Sequence, residues 1–124
     1  MKLLNNMFMV EQYDAAGARF TIGLNAEHVI YRAHFPGHAV TPGVCIIQLL
    51  MELAEQRLQR PLRLRRVKNL KFISPLEPDQ HPRVNIGFDK LQCADGEVIL
   101  RGSISRDDAV FTKFSIIAET VGDS

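Results

Sequence analysis

The sequence predicts an α+β fold, an antiparallel sheet of about six strands curled around one long central helix. Two observations predict it. From Gly43 to Leu58, apolar residues recur at helical spacing, and Cys45, Ile46, Leu49 and Leu53 fill most positions between them. Such a helix is apolar on more than one face and needs cover on most sides. The remaining chain is dominated by short segments with the two-residue alternation of strands, most of them grouped after the helix.

Composition bounds the function. The 124 residues suit a single domain over 1–124, with a core that needs no disulfide or metal staple. Apolar residues make up 46% and charged residues 23%, and the net charge is +1, so bulk charge points to neither nucleic acid nor a membrane surface. No window reaches the roughly 18 uninterrupted apolar residues of a membrane span. The first residues, Met1 to Asn6, lack the apolar core and cleavage site of a signal peptide, and a cytoplasmic location is expected. Cys45 and Cys93 show no metal-ligand spacing and are expected as reduced thiols. His28 and His81 form no pattern with cysteines or acids, so no metal and no cofactor is expected.

Taken in order, residues 7–13 and 18–24 are β-prone, and Asp14-Ala15-Ala16-Gly17 between them carries hairpin turn chemistry. Asn25 is expected to cap a single turn that ends before His34. The stretch from His34 to Val44 follows, with two Pro-Gly pairs, Pro36-Gly37 and Pro42-Gly43. Proline fixes φ and glycine admits close approaches, so this loop is rigid and irregular. It presents a histidine at the start of a buried helix. On that helix Gln48, Glu52 and Glu55 form one polar stripe, and Pro61 stops it. Strands are expected over 62–73, 82–91, 96–105 and 109–120. They alternate at Leu62-Arg63-Leu64-Arg65, at Val84, Ile86 and Phe88, and at Val98, Leu100, Gly102 and Ile104. Ala94-Asp95-Gly96 and Arg106-Asp107-Asp108 are expected to close hairpins.

Several of these residues have plain readings. A lone histidine is more often structural than catalytic, and His38 reads as loop surface. Gln48 serves equally as a buried polar group held by backbone or as a substrate-facing one. Seven of the chain's 15 lysines and arginines fall between Arg57 and Lys71, which is a solvated strand edge or a surface for an acidic partner.

The motif His34-Phe35-Pro36-Gly37, then Pro42-Gly43-Val44 leading into a buried helix, resembles the 3-hydroxyacyl-acyl carrier protein dehydratases of fatty acid synthesis. Val67-Lys68-Asn69-Leu70-Lys71-Phe72, followed by Pro75 and Pro78-Asp79, resembles that family's lysine-phenylalanine strand and proline-rich turn. The resemblance implies a hot-dog fold and a cofactor-free lyase acting on 3-hydroxyacyl thioesters. It also implies a dimer, or a trimer of dimers, with active sites at the interface. His34 would be the base, the Gly43 amide would bind the thioester carbonyl, and Phe35, Pro36, Gly37, Val44 and Glu52 would face substrate. Arg63, Arg65, Arg66 and Lys68 would dock the acyl carrier protein. The family's catalytic carboxylate falls at Gln48 and its glutamine at Glu52, so acid and amide are exchanged. Gln48 could orient the substrate hydroxyl but not protonate it. The exchange keeps alternatives open: a weakly active or non-catalytic acyl-binding subunit that pairs as a heterodimer with an active hot-dog chain, and then an acyl thioesterase.

Overall fold

The computed structural model describes residues 2–14, 16, 18–34 and 39–122, apart from the side chains of Ala33 and His34. A first hairpin of β1 (Phe8–Asp14) and β2 (Arg19–Leu24) is followed by a short helix, α1 (Val29–His34), and a long one, α2 (Gly43–Leu58). Four strands complete the chain: β3 (Leu62–Phe72), β4 (Arg83–Ala94), β5 (Glu97–Arg106) and β6 (Ala109–Thr120). All six form one antiparallel sheet in the order β1-β2-β4-β5-β6-β3. This is the hot-dog architecture, with α2 as its filling.

The helix runs over the residues its apolar pattern marks, and from Cys45 to Ala54 only Ile47 and Gln48 are not buried. Its cover comes from the inward positions of the strands: Phe20 and Ile22 of β2, Val84, Ile86 and Phe88 of β4, Val98 and Leu100 of β5, Phe114 and Ile116 of β6. Gln59 ends α2 in the left-handed conformation, φ 56°, ahead of Pro61. The Glu55 carboxylate then accepts the Leu62 N–H at 2.8 Å, tying the helix end to the first residue of β3. Asp95 and Gly96 both take positive φ, 54° and 78°, as a tight two-residue hairpin requires.

Two local expectations are corrected. Asn25 caps a turn at 26–27, but a helix that includes His34 follows it, and Asn25 is not the cap of that helix. The Asn25 side chain is occupied by the Glu27 N–H at 3.1 Å, while Nδ1 of His28 accepts the Ile30 N–H at 3.1 Å and so caps α1. In β3, strict alternation fails after Leu64. The register against β6 shifts between Leu64 and Arg66 and again between Val67 and Asn69. An inserted residue at each shift re-phases the strand. Leu64, Val67, Leu70 and Phe72 consequently pair with Ala118, Ile116, Phe114 and Thr112, all buried, and share their face of the sheet. Leu64, Val67 and Phe72 are nonetheless exposed, because β3 is an edge strand, with β6 on one side of it in the sheet.

Gly102 stands where β5 would otherwise place an inward side chain, opposite Phe88 on one side and Phe114 on the other. Those two rings meet edge to face with centroids 5.6 Å apart. A Cβ on Gly102 would lie 1.9 Å from the Gly87 carbonyl oxygen, where β4 bulges toward it. Gly102→Ala is therefore expected to destabilise the fold by about 3 kcal/mol, the upper range for overpacking, measured by urea unfolding.

Candidate active site

The N-terminus of α2 is set by Pro42, whose extended backbone (φ −63°, ψ 147°) carries no side-chain cap. Its carbonyl accepts the N–H groups of Cys45 at 3.0 Å and Ile46 at 3.1 Å. Among the described residues nothing accepts the N–H of Gly43 or Val44, so the first donors of the helix, at its positive end, remain available. They border a pocket of about 380 Å³. Val40 to Gly43 and Ile46 form one wall, and Phe72 to Leu76, the end of β3 and the turn after it, form the other. Most of this lining is apolar.

Gly43 is constrained by that second wall. A Cβ there would come within 2.9 Å of Cζ of Phe72, so the ring already fills the space that a side chain would need. A side chain at this position would require that half-exposed ring to shift. Val44 points elsewhere; it is 70% exposed and takes no part in the pocket.

The entry to α2 is tied to α1 by two residues the sequence did not single out. The Tyr31 hydroxyl, on α1, lies 2.9 Å from Oγ1 of Thr41, just ahead of Pro42, and both side chains are buried. The Thr41 N–H in turn donates to the Leu76 carbonyl at 2.8 Å. These bonds join α1, the entry to α2 and the pocket's far wall. Burial pushes the Tyr31 hydroxyl up to about 12; the Thr41 bond opposes this and the nearby Cys45 adds to it. A signal for this pair existed, since a buried tyrosine hydroxyl needs a partner, but which hydroxyl it finds depends on the folded loop. His34 closes α1; its side chain, with Phe35, Pro36, Gly37 and His38, lies outside the described residues.

Gln48 and Glu52 sit farther along α2 and do not line the pocket. Nε2 of Gln48 donates to the Glu52 carboxylate at 2.8 Å. Glu52 is 4% exposed and also accepts the N–H groups of Leu3 at 2.8 Å and Leu4 at 2.7 Å. Its carboxylate is thus bound to the N-terminal segment. Of the four basic residues proposed for docking, Arg63 pairs with Glu119 and Arg65 with Glu97. Arg66 and Lys68 are exposed and form no ion pair among the described residues.

A family model described as ApeI-like, ApeI dehydratase, matches residues 10–111. Among solved structures, the dehydratase heterocomplex ApeI:P from Xenorhabdus doucetiae is similar at a TM-score of 0.57 and 21% identity, over 82% of this chain and 85% of that one. A putative thioesterase from Silicibacter sp. TM1040 reaches a TM-score of 0.65 at 12% identity, over 95% of this chain and 81% of the other. A putative thioesterase from Ralstonia eutropha JMP134, a phenylacetic acid degradation-related protein, reaches 0.60 at 11% identity, over 94% and 86%. At these identities the structures share the fold. No curated protein shows significant sequence similarity to the chain.

The burial of Tyr31 has a spectroscopic signature. With two tyrosines and no tryptophan in the chain, tyrosinate absorbance at 295 nm should rise in a late step near pH 12 that Tyr31→Phe removes. The raised value also means that Tyr31 supports the fold below its unfolded value near 10. That support is lost as pH climbs toward 12, and the Phe variant should lack this loss.

Proposed function

The chain belongs to the ApeI-like dehydratase family, and from that premise we propose that it converts 3-hydroxyacyl thioesters on acyl carrier protein into trans-2-enoyl thioesters. The observation that carries this reading is the family match over residues 10–111, which includes the Gly43 pocket and the His34 loop. In the proposed reaction His34, as neutral imidazole, removes the proton at C2. Charge that develops on the thioester carbonyl is met by the Gly43 N–H at the positive end of α2. The C2–H electron pair becomes the new double bond, the C3–O bond breaks, and the departing hydroxide takes the proton from the His34 imidazolium. Gln48 binds the 3-hydroxyl without protonating it, which leaves His34 to carry the proton both ways.

Because Gln48 lies away from the Gly43 pocket of its own chain, the reading requires a second hot-dog chain, with Gln48 of each serving the other's pocket. The exposed row Leu64, Val67 and Phe72 on the edge strand β3 supports this pairing. The carrier would approach on Arg66 and Lys68, which form no ion pair among the described residues, whereas Arg63 and Arg65 do. A second reading is a heterodimer in which an active hot-dog chain supplies the acid. It is favoured by the amide at Gln48, and one similar structure is itself a dehydratase heterocomplex.

Two measurements test this. His34→Ala should lower turnover of a 3-hydroxyacyl thioester by about 10²- to 10⁴-fold, followed by enoyl absorbance; unchanged turnover removes the dehydratase reading. Val67→Asp should shift the sedimentation coefficient from a pair to one chain, and an unshifted pair would mean that β3 is not the interface.

A further inference from the structure

The proposed base and the proposed carbonyl donor lie on different elements, His34 at the end of α1 and Gly43 at the start of α2. At six residues, α1 is too short to hold a helical shape by itself. Something outside it must fix where it lies. Of its described side chains Val29 and Arg32 are exposed, Ile30 is half-buried, and Tyr31 alone is buried. Tyr31 is thus the main anchor of the helix that ends in His34.

Burial of the ring alone would be served by phenylalanine, so the hydroxyl needs its own reason. It lies 2.9 Å from Oγ1 of Thr41, itself 4% exposed, and the two form one buried hydrogen bond. Thr41 leads directly into Pro42 and Gly43. Its N–H is held by the Leu76 carbonyl at 2.8 Å, and the ring of Pro42 locks the next φ at −63°. Little freedom is left between the Thr41 hydroxyl and the Gly43 N–H. Ten positions of chain separate Tyr31 from Thr41, and the bond closes that gap directly.

We propose that Tyr31 and Thr41 are positioning residues: their hydrogen bond sets α1 against the entry to α2, and so sets the base at His34 relative to the Gly43 N–H. The inference rests on the dehydratase reading and deepens it. As the C2 proton leaves, its electron pair delocalises onto the thioester carbonyl, so base and donor must meet one substrate together. Both hydroxyls act through the backbone that they fix.

The test records kcat, KM and melting temperature for Tyr31→Phe, Thr41→Val and the double variant. The substrate is the N-acetylcysteamine thioester of a short 3-hydroxy acid. Each single change leaves one buried hydroxyl without its partner, so both should lower the melting temperature. The double variant sets two apolar groups of similar shape together and should recover much of that loss. The turnover number should not follow. It should fall about tenfold in all three, with KM little changed, because all three lack the bond. Thr41→Ser keeps the hydroxyl and should stay near wild-type kcat. A bond that only supports the fold would let kcat return with the melting temperature in the double variant, and that result overturns the proposal. So does an unchanged kcat in the single variants. If Thr41→Val does not fold, kcat must fall in Tyr31→Phe and hold in Thr41→Ser. No turnover by the native chain, or native turnover in His34→Ala, would remove the dehydratase reading and the inference with it. Loss of turnover in His34→Ala with unaltered kcat in Tyr31→Phe would remove the positioning role alone.

Discussion

A helix of 16 residues that is apolar round most of its circumference cannot lie on a flat layer, and the rest of the structure answers to that constraint. The sheet curls because α2 must be covered on most sides, and the inward residues of β2, β4, β5 and β6 cover it. Gly102 lets two phenylalanines close over the inner face. Where cover stops, at the first turn of α2, backbone donors that no described residue accepts from meet a mostly apolar pocket. The site is a by-product of the packing: the helix has to begin somewhere, and it begins uncapped.

The same constraint explains how the polar stripe on α2 is used. The helix has little room for polar groups, and those it carries toward the interior are tied to backbone. Glu52 holds the Leu3 and Leu4 N–H groups and Glu55 holds that of Leu62. Unsatisfied, those donors would each cost about 1–3 kcal/mol. The two glutamates therefore fasten the segments before β1 and at the start of β3 to the helix, one at each polar turn.

Periodicity made much of this legible. Local pattern located α2 and all six strands to within a few residues, since a buried helix and alternating strands write their burial into the sequence. The bulges at Arg65 and Lys68 were not legible. They keep four apolar residues on one face at spacings that no fixed period generates, and only the register against β6 reveals them. The site divided in the same way. Gly43 could be found from the Pro-Gly pairs before the helix, but Phe72 against it, Tyr31 on Thr41 and Leu3 on Glu52 could not. Each is a meeting between segments that the fold, not the neighbouring sequence, brings together. His28 was passed over because histidine is an uncommon helix cap, and its role appears only once α1 has formed.

The position of β3 has a consequence for the order in which the molecule can assemble. Among the described strands its one neighbour in the sheet is β6, the sixth in chain order, with Leu62 opposite Thr120. The β4-β5 and β5-β6 hairpins form from near neighbours in the chain, but β3 must wait until β6 has been made. Contacts of such long sequence separation are closed late and slowly. Until then a strand whose apolar face carries Leu64, Val67 and Leu70 has no sheet partner. The positive charges of Arg63, Arg65, Arg66 and Lys68 favour solubility of that waiting segment until its place in the sheet exists.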